Sequence, residues 1–110
     1  MLSRNFRLKK ETDFRRIYRK GRRIRGYFFD ITYLENNKNT RFGIVVTTKS
    51  INKAIKRNSA KRVLRVIIYK NKKDWPGNID LIIKIKKEIS PNLLKNAEAE
   101  LVYSLKKIND

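Results

Sequence analysis

The 110-residue chain contains no cysteine and no histidine. Without cysteine there is no disulfide framework, no thiol nucleophile and no zinc site built on thiolates. Without histidine the commonest general base and the commonest metal ligand are missing. Acidic residues are scarce, ten Asp and Glu in all. They are scattered, and no two share a motif spacing within the basic part of the chain, which argues against a two-metal catalytic site in the protein. The glycines Gly21, Gly26, Gly43 and Gly77 stand singly, so there is no Gly-rich phosphate loop. No apolar run approaches the roughly 18 residues of a transmembrane helix. The basic N-terminal stretch is not followed by an apolar segment, so the expectation is no signal peptide and a cytoplasmic location.

What the chain has in abundance is positive charge. Lys and Arg number 29, and the formal net charge is +19. Apolar residues make up 40% of the chain, enough to build a core, so this is not a disordered polycation. The length suits one domain covering residues 1–110. Residues 1–70 hold 21 of the 29 cations and only four of the ten carboxylates, which places a binding surface there and scaffold in the remainder. A small chain that repels itself this strongly suits a polyanionic partner, and nucleic acid fits best. A membrane surface fits less well, because the apolar faces are needed for the core.

Periodicity gives the elements. Thr12 or Glu11 opens a short helix whose Phe14, Ile17 and Tyr18 form one apolar stripe, with Gly21 suited to its C-terminal cap. Residues 27–34 and 41–48 read as strands joined by a turn, an expected antiparallel hairpin. Residues 53–69 form a long helix with Ala60, Val63, Leu64, Ile67 and Ile68 at core spacing. Trp75-Pro76-Gly77-Asn78 is a turn. Residues 79–85 form a strand with Ile79, Leu81, Ile83 and Ile85 on one face. Ser90-Pro91 starts a last helix with the stripe Leu94, Ala97, Leu101, Leu105 and Ile108. The fold class is therefore α+β: a small, mainly antiparallel sheet packed with helices, in the order α-β-β-α-β-α, with room for an extra short strand.

The long helix carries the sharpest functional signal. Advancing about 100° per residue from Arg57, Lys61 falls near 40°, Arg65 near 80°, Asn58 near 100° and Arg62 near 140°. The core stripe occupies roughly 240° through to 20°, so the two arcs barely touch. A charged helix face is ordinarily just solvated. Here no Asp or Glu occurs anywhere from position 36 to 73, so nothing relieves the repulsion between like charges. That points to RNA or DNA contact. Arginine offers bidentate contacts to phosphate, lysine a point charge, and Asn58 a short amide. Among the aromatics, most are expected in the core. Phe14 and Tyr18, surrounded by Arg15, Arg16, Arg19 and Lys20, are the best candidates for stacking on unpaired bases.

The segment RFGIVVTTKSINKAIKRNSAKRVLR (residues 41–65) closely resembles the signature of the bacterial ribonuclease P protein family. Arg57-Asn58, the pair Lys61-Arg62, and Arg65 match its basic run, and RLKKETDFRRIYRKG (residues 7–21) resembles its opening helix. Ser59 stands where the family has a further Arg, and Thr48 where many members have a Lys. The resemblance implies an RNA subunit that is the catalyst and holds Mg²⁺, with no catalytic residue and no metal in the protein itself. It implies contact with that RNA through Lys49, Lys53, Arg57, Asn58, Lys61, Arg62 and Arg65. It implies a cleft for the 5′ leader of precursor tRNA, lined by Phe14, Ile17, Tyr18, Phe29 and Ile31, a left-handed βαβ crossover, and no obligate protein partner. The competing reading is a structural, ribosomal-type RNA-binding protein. A stand-alone nuclease is disfavoured by the missing histidine, and a DNA-reading helix by the absence of a preceding helix-turn-helix partner.

Overall fold

The computed structural model describes residues 4–109. Helix α1 spans Glu11–Lys20, with Glu11 and Asp13 in its first turn and Arg19 and Lys20 in its last, both favourable to the helix dipole. Gly21 ends it in an extended conformation (φ −78°), not the left-handed cap the sequence suggests. Its lack of a side chain serves a close approach instead: a Cβ there would lie 2.5 Å from the carbonyl oxygen of Ile17 and 2.7 Å from that of Tyr33. The chain then enters a short strand β1, Arg22–Arg25. This is the extra strand for which the pattern left room.

Strands β2 (Phe29–Glu35), β3 (Arg41–Val45) and β4 (Ile79–Ile85) complete a sheet of order β1-β2-β4-β3. The expected hairpin is therefore wrong. β2 and β3 do not pair, because β4 lies between them, antiparallel to β2 and parallel to β3. The reason lies in composition. β4 is buried almost throughout, with Ile79, Leu81, Ile83 and Ile85 on one face and Ile82 between Asp80 and Lys84 on the other, so it belongs at the centre of the sheet. β2 alternates with Asp30 and Thr32 and serves as its neighbour. Residues 36–40 accordingly cross the start of β4, where the backbone N–H of Asn36 donates to the Asn78 carbonyl (2.8 Å). Asn78 itself takes the left-handed conformation (φ 54°) in the predicted turn. Helix α2, Ala54–Lys70, carries the crossover between the parallel strands β3 and β4.

The sheet has two unequal faces. Phe29 and Ile31 of β2, Phe42 of β3, and Ile79, Leu81, Ile83 and Ile85 of β4 form the main core. They pack with Ala60, Leu64, Ile67 and Ile68 of α2 and with Ala97, Leu101 and Leu105 of helix α3, Leu94–Asn109. The opposite face carries a small core of Leu8, Ile17 and Ile82, with Phe14, Leu34 and Val45 against it. Helix α1 and the segment around Leu8 that leads into it cover that face, and only in part. Leu94, expected in the α3 stripe, is 40% exposed and borders a surface hollow on α2; it is the first residue of the helix, directly after a 3₁₀ turn at Pro91–Leu93.

Candidate nucleic-acid interface

On α2 the core arc is as expected, with Leu64 and Ile68 fully buried. Asn58 and Arg62 are exposed and Arg57, Lys61 and Arg65 half-buried on the remaining surface. The helix forms ion pairs through Lys56 with Glu88 (3.2 Å) and Lys70 with Glu98 (3.5 Å). Among the described residues, Arg57, Lys61, Arg62 and Arg65 have no carboxylate partner, and the first turn of α2 holds no acidic residue. The positive end of the helix dipole thus adds to unneutralised cations. Arg57 differs from its neighbours. Its guanidinium donates to the carbonyls of Ile51 (3.0 Å) and Asn52 (2.9 Å), fastening the loop that carries Lys49 to the helix. Lys49 and Lys53 are both exposed.

Where α1 leaves its sheet face uncovered there is a cleft of about 270 Å³. Tyr18 stands on one side, Arg23, Arg25 and Lys84 supply cations, and Thr32, Val45 and Ile82 lie among the other lining residues. Burial raises the Tyr18 phenol above its ordinary value of 10.0, with the charge of Arg23 pulling the other way. The phenol is therefore neutral at physiological pH and can stack or share a hydrogen bond without adding a negative charge. The carboxylate at this site, Asp30, is spent on Lys86 at 3.3 Å.

The residues expected in the cleft divide. Tyr18 lines it. Phe14 lies one turn earlier on α1, with its ring so close over Gly43 that a Cβ there would be 2.6 Å from the ring. It borders a neighbouring hollow shared with Arg7, Lys9, Ile44 and Arg65, which joins the cleft helix to the basic helix. Ile17 is completely buried and anchors α1 to the sheet. Phe29 and Ile31 belong to the main core on the other face; Ile31 touches the cleft wall, but its side chain is 1% exposed. The cause is the two-residue period of β2. The apolar set faces the two long helices, so Thr32 and Asp30 face the cleft.

Sequence reasoning missed the device that seats α1. Asp80, fully buried in β4, receives two hydrogen bonds from Arg41 (2.8 and 2.9 Å), one from Arg16 of α1 (2.9 Å) and one from the Asn36 amide (2.6 Å). Asp13 of α1 lies 3.7 Å from both guanidiniums. The hydrogen bond to Asp80 raises the pKa of Arg41 further, against the opposing effect of burial. A lone Asp in a strand otherwise aliphatic but for Lys84 was the available signal, since a buried carboxylate requires cations. A second carboxylate works similarly on the far side: Glu100 of α3 accepts from the consecutive backbone N–H groups of Tyr27, Phe28 and Phe29 at 2.9–3.1 Å. It holds the turn between β1 and β2, and a Cβ on Gly26 would collide with it.

A family model described as Ribonuclease P matches residues 2–109. The chain is 31% identical over 108 residues to the ribonuclease P protein component of Syntrophomonas wolfei, covering 97% of this chain and 90% of that protein. It is 32% identical over 106 residues to the component from Streptococcus pneumoniae, covering 96% and 85%. Among solved structures, the RNase P protein of Thermotoga maritima superposes with a TM-score of 0.77 at 27% identity, covering 92% of this chain and 96% of that one. The RNase P protein of Staphylococcus aureus gives a TM-score of 0.77 at 29% identity, covering 96% and 98%. The fold, the basic helix and these matches along nearly the whole length agree: the chain belongs to the bacterial ribonuclease P protein family.

Proposed function

We propose that the protein holds the RNA subunit of ribonuclease P through the basic face of α2 and takes the single-stranded 5′ leader of precursor tRNA into the cleft beside α1. Both contacts serve endonucleolytic hydrolysis at the 5′ end of the tRNA in the cytoplasm. The observation that carries the reading is the adjacency of two features. An unneutralised cationic helix face meets, across the hollow shared by Arg65 and Phe14, a cleft in which Tyr18 stands among Arg23, Arg25 and Lys84.

The chemistry belongs to the RNA and its Mg²⁺. The protein's carboxylates near the cleft are engaged by cations: Asp13 and Asp80 with Arg16 and Arg41, Asp30 with Lys86. Among the described residues no three acidic side chains are grouped to hold a metal. These residues do not suit a protein-held Mg²⁺. What they suit is screening. Two polyanions, catalyst and substrate, must approach each other, and cations between them reduce the repulsion and the Mg²⁺ required. Arg62 and Lys61 would contact phosphates, Arg65 would sit at the junction, and Arg57 would hold the Lys49 loop in place. Phe14 and Tyr18 offer aromatic surface to unpaired bases.

The test is binding of precursor and mature tRNA by the reconstituted protein–RNA complex. Wild type should prefer the precursor, and Tyr18→Ala should weaken precursor binding roughly tenfold, the lower end of the loss of one base stack, while leaving mature tRNA unchanged. Equal affinity of the wild-type complex for both tRNAs would refute the leader assignment and favour a purely structural RNA-binding role.

A further inference from the structure

Strand β1 has a second side. The sheet ends at β1, whose outer edge has no partner strand among the described residues. Its sequence, Arg-Arg-Ile-Arg, alternates across the sheet. Arg23 and Arg25 pair with Thr32 and Asp30 and so lie on the cleft face. Arg22 and Ile24 pair with Tyr33 and Ile31 and so lie on the opposite face. There, between β1 and the last turn of α3, is a hollow of about 730 Å³, larger than the cleft. Lys20, Arg22 and Lys107 give it cations, Tyr33, Ile24 and Ile108 give it aromatic and aliphatic surface, and Glu35 is the one carboxylate among its lining residues. Arg23 and Arg25 line both this hollow and the cleft.

We infer that this hollow is a second subsite for single-stranded RNA, and that its occupant is the upstream part of the same leader, carried from the cleft around the edge of β1. Charge on an edge strand has a simpler use, since it discourages pairing with another chain. That use explains three arginines. It does not explain an adjoining hollow that combines cations with an aromatic ring, which is the combination that binds single strands without sequence preference. A leader leaving the cleft past Arg23 and Arg25 meets the free backbone edge of β1 and then Arg22 and Lys107, with Glu35 the one carboxylate among the lining residues of the hollow. The inference rests on the leader assignment above, and one experiment separates the two.

Reconstituted complex is measured with mature tRNA and with precursors bearing a leader of a few nucleotides and one several times longer. The wild type should bind the long-leader precursor most tightly. Arg22→Ala combined with Lys107→Ala should remove that extra affinity, roughly tenfold. The salt dependence for the long leader should become shallower by about 1.4, two contacts at about 0.7 each on a single strand. Binding of the short-leader precursor should be unchanged. Both residues are exposed, so the fold should survive. As an independent readout, a photoreactive thiouridine in the upstream leader should crosslink to Lys20, Arg22, Ile24 or Lys107, which line the hollow and not the cleft. Crosslinks confined to the cleft or to α2, or equal wild-type affinity for short and long leaders, would overturn the inference and leave the leader assignment standing. No preference for either precursor over mature tRNA would overturn both.

Discussion

Tyr18 shows how much one side chain's surroundings decide. On the sequence it is an aromatic among arginines; in the fold it is a half-exposed ring whose phenol is pushed above 10.0 by burial despite nearby Arg23. A pKa raised in the folded state means the neutral phenol is favoured there. Its contribution to stability is complete below 10.0 and lost as pH rises through the raised value. The tyrosinate absorbance that Tyr18→Phe removes should therefore titrate above 10.0, and Arg23→Ala should move it higher still. A midpoint at or below 10.0 would mean the ring is not seated against the sheet as described. Asp80 is the converse case. Its neighbours Ile79 and Leu81 were legible as core, but its own role was not, because Arg16 and Arg41 lie 64 and 39 positions away and only the fold unites them with it. Phe29 and Ile31 were legible as one strand face; which helix that face would meet was not.

Helices were the most readable elements. The stripe and cations of α2 emerge from a 3.6-residue period, and the buried and basic arcs fall where the wheel places them. Strand pairing was less readable, since adjacency in sequence suggested a hairpin that the almost fully buried β4 displaced. β1 has a single apolar residue and no detectable alternation of its own. Within α2 the structure separates residues that the wheel treats alike. Arg62 is free, so Arg62→Ala should lower the slope of log affinity against log salt for the RNA subunit by about 0.7–0.9 and leave the melting temperature alone. Arg57 also donates to two loop carbonyls, so Arg57→Ala should lower the slope and in addition cost about 1 kcal/mol of stability. Unchanged slopes in both variants, measured by binding titrations at several salt concentrations, would place the RNA on another face.

At the scale of the molecule, the charge of +19 is arranged rather than dispersed. The apolar side of the sheet is closed by two long helices, while the other side is half-closed by α1, and cations frame the opening. No helix among the described residues is long and apolar enough to cross a membrane. The arrangement suits the role proposed above, in which the protein brings one RNA to another and the bond-breaking belongs to the RNA. The most direct measurement is cleavage of a precursor tRNA at low Mg²⁺ by a bacterial ribonuclease P RNA with this protein, by each alone, and by neither. Cleavage at the mature 5′ end only when both are present is the predicted result. Cleavage by the protein alone, or no rescue at any stoichiometry by protein shown to be folded, would contradict it.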